Sequence, residues 1–168
     1  VSNIVKETPF TYDYKARKGG LGNFIEEQYF GYEANSDSAA DFNEAGVELK
    51  VTPYEVTKQN KLRAGERLVL SMISYKDPVE PDFMMSHLWE KCKSILLIYY
   101  LRDKTLPSNM DYSIDFVKLF TPPQEDMDII LQDYKIIIEK VASGKAHELS
   151  ESDTMYLGAC TKGANAEK

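Results

Sequence analysis

The 168-residue sequence has no apolar run long enough to cross a membrane, no internal repeat and no low-complexity tract. Its longest apolar run, residues 95–101, has the length of a buried strand. No segment shows the features of a signal peptide. These absences exclude the membrane-spanning, fibrous and repeat classes. The hydrophobic content of 43% is typical of a folded globular protein.

Cysteine and histidine are also scarce. The two cysteines, Cys92 and Cys160, and the two histidines, His87 and His147, show no spacing typical of a metal site or a disulfide framework. We therefore expect a reduced, cytoplasmic protein that does not associate with a membrane. The first residue is Val and not Met, and we expect residues 1–168 to form a single domain that is a fragment of a longer chain.

An excess of basic charge, which proteins that bind nucleic acid usually have, is missing as well. The net charge is −7. Residues 123–143 have a balance of −3 and residues 144–155 a balance of −2, so five of the seven excess negative charges lie in one late segment. That segment could face away from DNA, and the net charge therefore weakens a DNA-binding hypothesis without excluding it.

Hydrophobic periodicity predicts alternating helices and strands. Helices are expected over residues 21–29, ending near Gly31, over 82–91, and from Pro122 to about residue 143, with Gly144 as a cap. Strands are expected over residues 47–51, stopped by Pro53, and over 67–75, 94–101, 112–120 and 154–159. This order predicts an α/β domain in which helices pack against a mixed sheet.

The segment of residues 41–50 contains two carboxylates and a lysine in a pattern that suits phosphate chemistry. Val47, Leu49 and Val51 alternate with Glu48 and Lys50, which is the period of a half-buried strand and places Glu48 and Lys50 on one face. If Asp41 turns back from the preceding segment, Asp41, Glu48 and the Leu49 carbonyl offer oxygen ligands to Mg²⁺. Such a site suits the attack of water on a phosphodiester.

The acidic pattern is loose, because Asp, Glu and Lys are frequent residues. Its alternative interpretation is a set of solvated charges on an exposed strand face. Lys50 would orient the attacking water or stabilise the charge that develops on phosphate in the transition state.

Several separated motifs make this sequence similar to two related groups of nucleases. Residues 41–50, with residues 18–19, 27–31 and 162–166, resemble the MutH mismatch-repair nickases. The resemblance is closer to the catalytic N-terminal domain of Sau3AI-type restriction endonucleases, through residues 46–50, 66–70, 144–151 and 160–166. An arginine of the MutH loop corresponds to Cys160 here, and this difference favours the restriction enzymes.

The resemblance implies a restriction-endonuclease-like PD-(D/E)xK fold, a mixed central sheet flanked by helices, with Mg²⁺ dependence and cleavage of double-stranded DNA at GATC. It implies that Asp41, Glu48 and Lys50 are catalytic. It adds Glu27 as a further active-site acid and Lys91 as a second active-site lysine. Taken without the resemblance, Glu27 and Lys91 are ordinary solvated residues.

Four further residues are candidates for contacts with DNA. The resemblance implies that Lys162 and Gly163 belong to a loop that enters a DNA groove, and a lysine there can reach a guanine edge or a phosphate. Glu66 corresponds to an acid near the bases, and Lys18 is a candidate phosphate contact. The alternative is that these are solvated residues of loops and polar segments.

The sequence therefore predicts the catalytic domain of a type II restriction endonuclease. Its expected partner is double-stranded DNA, with a second MutH-like domain of the full-length protein or a transient dimer as further possibilities. Two alternatives stay open: a MutH-like GATC nickase acting in mismatch repair, and a catalytically silent DNA-binding module.

Overall fold

The computed structural model describes residues 20–32, 39–73, 78–103, 105–108 and 111–159. Within these ranges we number the α-helices α1 (Gly20–Phe24), α2 (His87–Cys92) and α3 (Met127–Ala142), and the strands β1 (Glu48–Val56), β2 (Leu62–Ala64), β3 (Ile95–Leu101) and β4 (Ile114–Phe120). A π-helical turn, Ile25–Tyr29, continues α1. Short 3₁₀ turns occupy Asn43–Ala45, Phe83–Met85, Gln124–Asp126, Ala146–Glu148 and Glu151–Asp153.

The four strands form one mixed sheet in the order β2-β1-β3-β4. β1 and β3 are parallel, in a register that pairs Glu48 with Ile95 and Tyr54 with Leu101. The pairs β1–β2 and β3–β4 are antiparallel. The predicted α/β class with a mixed central sheet is thus confirmed.

By their contacts the residues fall into two compact units. The first contains residues up to Leu70 together with Lys91–Thr121, and therefore the whole sheet. The second contains Ser71–Glu90 and the residues from Pro122 onward, including α3. Whether residues 1–168 act as a single domain stays a prediction. None of the described helices is both long and apolar enough to cross a membrane.

The core of the first unit lies between α1 and the parallel strands. It is a cluster of buried apolar side chains: Leu21, Phe24, Ile25, Leu49 and Ile98. The apolar face of the first helix therefore lies over β1 and β3, as helical periodicity predicts. Glu48, next to Leu49 on β1, is also buried, so this part of β1 is covered on both faces and is not the half-buried strand that alternation predicts.

β1 continues through Pro53 to Val56, so the prediction that Pro53 ends the strand is wrong. A proline cannot donate a ladder hydrogen bond, and its partner carbonyl must find another donor. Gly65 donates its N–H to the Pro53 carbonyl at 2.9 Å. The Gly65 carbonyl accepts a hydrogen bond from Arg102 Nη1 at 3.1 Å, so a guanidinium replaces the N–H that proline lacks.

The predicted strand over residues 67–75 is also wrong for its described part. Residues 67–73 form no strand, and their apolar side chains Leu68, Val69, Met72 and Ile73 are exposed. Periodicity describes the two faces of a segment, but a strand also needs a neighbour to complete its ladder. β2 ends at Ala64, and no described strand pairs with residues 67–73.

The third incorrect prediction is the strand over residues 154–159, which is irregular in the structure. Three consecutive backbone amides, those of Met155, Tyr156 and Leu157, donate to the carboxylate of Asp133 on α3. A strand ladder turns successive N–H groups to opposite sides, so amides that converge on one carboxylate cannot take part in it.

The helices otherwise follow their capping signals. α3 ends before Ser143, and Gly144 has a φ of +73°, as predicted. The segment predicted as one helix over residues 82–91 is divided at Ser86. The Ser86 hydroxyl accepts the Trp89 N–H at 3.1 Å, which caps the start of α2.

Replacement of Ile98 by alanine should strongly destabilise the fold. Ile98 is 4% exposed and lies in the core of the first unit, so the change leaves a cavity that costs about 2–5 kcal/mol. Its cross-strand partner Val117 is 60% exposed, and Val117→Ala should change stability by less than about 0.5 kcal/mol. Urea unfolding of both variants measures the difference, and equal losses would contradict this placement of the core.

Candidate active site

A tight turn brings Asp41 back against the start of β1. Phe42 donates to the Val47 carbonyl at 2.9 Å, and Val47 donates to the Phe42 carbonyl at 3.3 Å. Gly46 closes the turn with a φ of +63°, in the left-handed region that favours glycine. The Leu49 N–H then donates to Asp41 Oδ2 at 2.8 Å. The structure thus contains the reversal on which the sequence-based hypothesis depends.

Glu48 is the centre of this arrangement. Its side chain is 3% exposed, and each of its oxygens accepts a hydrogen bond from a lysine. Lys50 Nζ lies 2.6 Å from Oε1, and Lys91 Nζ, from α2, lies 2.9 Å from Oε2. A buried carboxylate is tolerated when both oxygens are paired in this way. Lys50 and Glu48 therefore share a face of β1, as the alternation predicts.

Lys91 also connects Glu48 to Asp41. Its Nζ lies 3.9 Å from Asp41 Oδ1, and its side chain is largely buried. Four of the predicted active-site residues, Asp41, Glu48, Lys50 and Lys91, are thus brought together from a turn, a strand and a helix. That they are catalytic stays a prediction at this point.

The electrostatics of the cluster disfavour negative charge on Asp41. Burial raises the pKa of Asp41, and the nearby Glu48 carboxylate raises it further. The Leu49 N–H, Lys91 and Lys50 lower it but do not cancel the effect of burial. A carboxylate in such a field gains from a nearby cation, which is common in sites that bind metal or transfer protons.

Glu26 is an additional acid that sequence reasoning did not identify. Burial raises its pKa, followed by the negative charges of Asp41, Glu27 and Glu48, while Lys50 lowers it. Glu26 thus lies within the field of the cluster. Glu27, the predicted acid, is its neighbour in the π-helical turn, and its role at the site stays a prediction.

A local change in helix winding explains why Glu26 was missed. In the turn Ile25–Tyr29 the Phe30 N–H donates to the Ile25 carbonyl, five residues earlier, so successive side chains rotate by less than in an α-helix. Projection of the sequence on a regular helix therefore misplaces residues near this turn. The sequence signal that could have identified Glu26 is the pair of adjacent acids, Glu26 and Glu27, because either one can face the site.

The Leu49 carbonyl is the third predicted metal ligand. In a strand the N–H and C=O of one residue face the same neighbour. Glu48 donates its N–H to the Ser94 carbonyl on the β3 side, whereas Leu49 donates to Asp41 on the other side. The Leu49 carbonyl therefore faces the edge of β1 that carries Asp41.

The remaining predicted residues lie away from the cluster or outside the described residues. Glu66 contacts Arg102 at 2.7 Å, and Arg102 donates its N–H to the Tyr54 carbonyl. Tyr54 is six residues along β1 from Glu48, about 20 Å for an extended chain. The structure does not bring Glu66 to the cluster. Lys18, Lys162 and Gly163 lie outside the described residues.

Acidic side chains alone do not form a complete metal cage here. In the part of the chain that the structure describes, no group of three or more His, Cys, Asp or Glu residues is arranged to hold a metal ion. A metal would therefore need Asp41, Glu48 and a backbone oxygen, completed by water, which is typical of Mg²⁺ sites with one or two carboxylates.

Comparison with known proteins identifies relatives that cut or repair DNA. A family model described as DNA mismatch repair enzyme MutH matches residues 30–133, a range that includes Asp41, Glu48, Lys50 and Lys91. The type II restriction enzyme Sau3AI of Staphylococcus aureus is 42% identical over 154 residues, which cover 90% of this chain and 31% of that enzyme.

Mismatch repair proteins are more distant relatives. The MutH protein of Shewanella sp. strain MR-7 is 26% identical over 155 residues, covering 92% of this chain and 67% of that protein. MutH of Shewanella woodyi is 28% identical over 153 residues, covering 90% and 63%. The chain therefore spans about a third of the length of Sau3AI and about two thirds of that of MutH.

The change Asp41→Asn should raise the free energy of unfolding in metal-free buffer at neutral pH. It removes a charge whose pKa is raised by burial, while the amide oxygen can still accept the Leu49 N–H. For an acid whose folded pKa is raised, the penalty is full above that pKa and disappears as pH falls through it toward the unfolded value. The gain over wild type should therefore shrink on acidification, as followed by urea unfolding at several pH values.

Glu44→Gln is the matched control, because Glu44 is an exposed acid of the same turn. It should leave both the stability at neutral pH and its pH dependence close to wild type. A loss of stability in Asp41→Asn at neutral pH would contradict the electrostatic account.

Proposed function

Because the chain belongs to the MutH family, we propose that it is the catalytic domain of a Mg²⁺-dependent type II restriction endonuclease that hydrolyses double-stranded DNA at GATC. The observation that carries the proposal is that Lys50 and Lys91 both contact the buried carboxylate of Glu48, and that Lys91 also lies beside Asp41. A purely structural ion pair needs one carboxylate and one lysine. This cluster contains two carboxylates and two lysines, and it lies at the edge of β1 that the Leu49 carbonyl faces.

Two observations favour restriction over mismatch repair. Identity to Sau3AI is 42%, against 26% to 28% for the MutH proteins compared. In the sequence resemblance, Cys160 corresponds to an arginine of the MutH loop, and this difference favours the restriction enzymes. A GATC nickase of mismatch repair is the first alternative. A silent DNA-binding module is the second, and the complete set Asp41, Glu48 and Lys50 argues against it.

The residues of the cluster fit a magnesium ion. Asp41 uses Oδ2 for the Leu49 amide and keeps Oδ1 on the side of Lys91, and the Leu49 carbonyl faces the same edge. Asp41, Glu48 and this carbonyl would hold the ion, whose positive charge would favour the ionised form of Asp41 that burial disfavours. When bound, Mg²⁺ polarises a phosphate oxygen and lowers the pKa of a coordinated water.

The two lysines have different positions and therefore different proposed roles. Lys50 is on the strand, more exposed than Lys91, and can turn its ammonium group from Glu48 toward an incoming phosphate or its attacking water. There it orients the water or stabilises the charge of the transition state. Lys91 contacts both Glu48 and Asp41, so it holds the two carboxylates in place near the scissile phosphate.

The proposed reaction also needs DNA contacts outside the cluster. We assign these to Lys18, Lys162 and Gly163, with Glu66 as a further candidate near the bases, on the basis of the sequence resemblance. Cleavage of both strands requires two successive nicks or a second active unit, either a transient dimer on DNA or a second MutH-like domain in the full-length protein. We place the reaction in the cytoplasm, where DNA is accessible.

The full-length protein should cut duplexes that contain GATC only in the presence of Mg²⁺. A duplex in which GATC is scrambled should stay intact, as should the GATC duplex in excess EDTA. Denaturing gels of both labelled strands distinguish double-strand cleavage from nicking, and parallel duplexes with methylated adenine or cytosine define the sensitivity to methylation.

Asp41→Ala should reduce this cleavage by about 10²–10³-fold or more, because a ligand of the reaction centre is removed. Glu44→Gln should cleave like wild type. Specific, salt-dependent binding of GATC without cleavage by wild type would instead support the silent module, and cutting of one strand alone would support the nickase.

Lys50→Met should lower kcat by about 10²-fold or more and leave KM for DNA within about threefold, because its ammonium is proposed to act mainly in the transition state. Lys118→Met, which removes an exposed lysine from β4, is the matched control and should leave kcat unchanged. A variant of Lys50 that raises KM and keeps kcat would assign this lysine to DNA binding.

A further inference from the structure

The ammonium group of Lys91 lies beside both carboxylates that are proposed to hold the metal ion. Its Nζ is 2.9 Å from Glu48 Oε2 and 3.9 Å from Asp41 Oδ1. The other oxygen of each acid has a different partner: Asp41 Oδ2 accepts the Leu49 N–H, and Glu48 Oε1 accepts a hydrogen bond from Lys50. The two oxygens that these partners leave for a metal ion are therefore the two that lie near Lys91.

A divalent cation and the Lys91 ammonium would compete for this pair of oxygens. Both interact with the same carboxylate lone pairs, and two positive charges held by the same oxygens repel each other. Lys50 is placed differently, because it contacts Oε1 of Glu48 and leaves Oε2 to another cation. Lys91 is therefore the lysine whose contacts coincide with the proposed metal position.

The charge balance of the cluster favours an exchange of cations. Asp41 and Glu48 contribute two negative charges, and Lys50 and Lys91 contribute two positive charges. Water can compensate little for a change in this balance, because the Glu48 side chain is 3% exposed. A divalent cation added to the four groups would leave an excess of positive charge, and departure of the Lys91 ammonium from the carboxylates would reduce it.

The side chain of Lys91 can move without a change in the backbone. Lys91 lies in the last turn of α2, next to Cys92, which is 5% exposed, and near the start of β3 at Ile95, which is 1% exposed. These buried neighbours fix the chain on one side, while the ammonium group is carried by a flexible stem of four carbons. The Lys91 side chain is 13% exposed, so part of it is open to solvent.

We propose that Lys91 is an exchangeable counter-ion, which neutralises Asp41 and Glu48 until these carboxylates bind the divalent cation and is then released toward the scissile phosphate. The inference rests on the proposed function, in which Asp41 and Glu48 hold Mg²⁺. Competition from Lys91 lowers the affinity of the site for the metal. Its release makes a second ammonium group available to the phosphate only when the metal is bound.

The first test measures binding of the metal alone to the full-length protein, without DNA. Mn²⁺ accepts the same oxygen ligands as Mg²⁺, and its free concentration can be followed by electron paramagnetic resonance. Lys91→Met should bind Mn²⁺ at least about tenfold more tightly than wild type, because the competing cation is removed. Lys50→Met should tighten binding by less than about threefold, since Lys50 contacts the other oxygen of Glu48. Lys118→Met, at an exposed lysine of β4, is the control and should leave Mn²⁺ binding unchanged.

The sign of the change in Lys91→Met decides between exchange and simple ordering of the ligands. Weaker Mn²⁺ binding would show that Lys91 holds the carboxylates in place for the metal, and it would overturn this proposal while the proposed function stands. Equal tightening in Lys50→Met and Lys91→Met would overturn the assignment to Lys91. If neither wild type nor Lys91→Met binds Mn²⁺, the proposed metal dependence fails together with the exchange.

The second test uses the wild-type full-length protein and therefore does not depend on the folding of a variant. Lysine side chains are acetylated with an amine-reactive reagent, and mass spectrometry gives the rate at each site. Saturating Mg²⁺ should increase the rate at Lys91 at least about threefold, because a released ammonium group is more accessible than a paired one, and the rate at Lys118 should not change. An unchanged or slower rate at Lys91 would overturn its release.

Discussion

The buried carboxylate of Glu48 is the constraint on which the arrangement of the first unit depends. Removal of a charge from water costs several kcal/mol unless strong partners replace the solvent. Lys50 comes from the same strand, but Lys91 reaches Glu48 only because β1 and β3 are parallel and pair Glu48 with Ile95, four residues after Lys91. The register of the sheet and the pairing of this charge therefore support each other, and a slip of one residue would leave Glu48 without its second lysine.

The same cluster has a cost to stability that a purely structural arrangement would avoid. Asp41 and Glu26 are placed where burial and neighbouring carboxylates raise their pKa values, although an exposed surface would accept both acids without penalty. Sites that bind ligands often retain such unfavourable charge because the ligand relieves it. The turn at Gly46 maintains this unfavourable placement by holding Asp41 beside Leu49.

The sequence was sufficient to predict features that depend on residues close together along the chain or on a family motif. It predicted the strand at Glu48 and the long helix before Gly144, and its hypothesis for Asp41 required the turn that the structure contains. It failed where a distant partner decides the outcome. Arg102 allows Pro53 inside a strand, and Asp133 diverts residues 155–157 from a strand geometry that their own pattern favours. The π-helical turn at residues 25–29 is a third case, because a change in winding has no clear sequence signal.

Asp133 and Asp41 differ in the number of hydrogen bonds that their carboxylates accept from the backbone, and this number indicates how much acceptor capacity each has left for a ligand. A carboxylate offers about four lone-pair sites. Asp133 accepts the N–H groups of three amides, and the Met155 N–H is shared between its two oxygens, so most of its capacity is used by the backbone. Asp41 accepts one backbone amide and keeps Oδ1 at 3.9 Å from Lys91. Both acids fix the local chain, but Asp41 keeps more acceptor capacity and holds it beside other charged groups, which supports the proposal that the chemistry lies at β1.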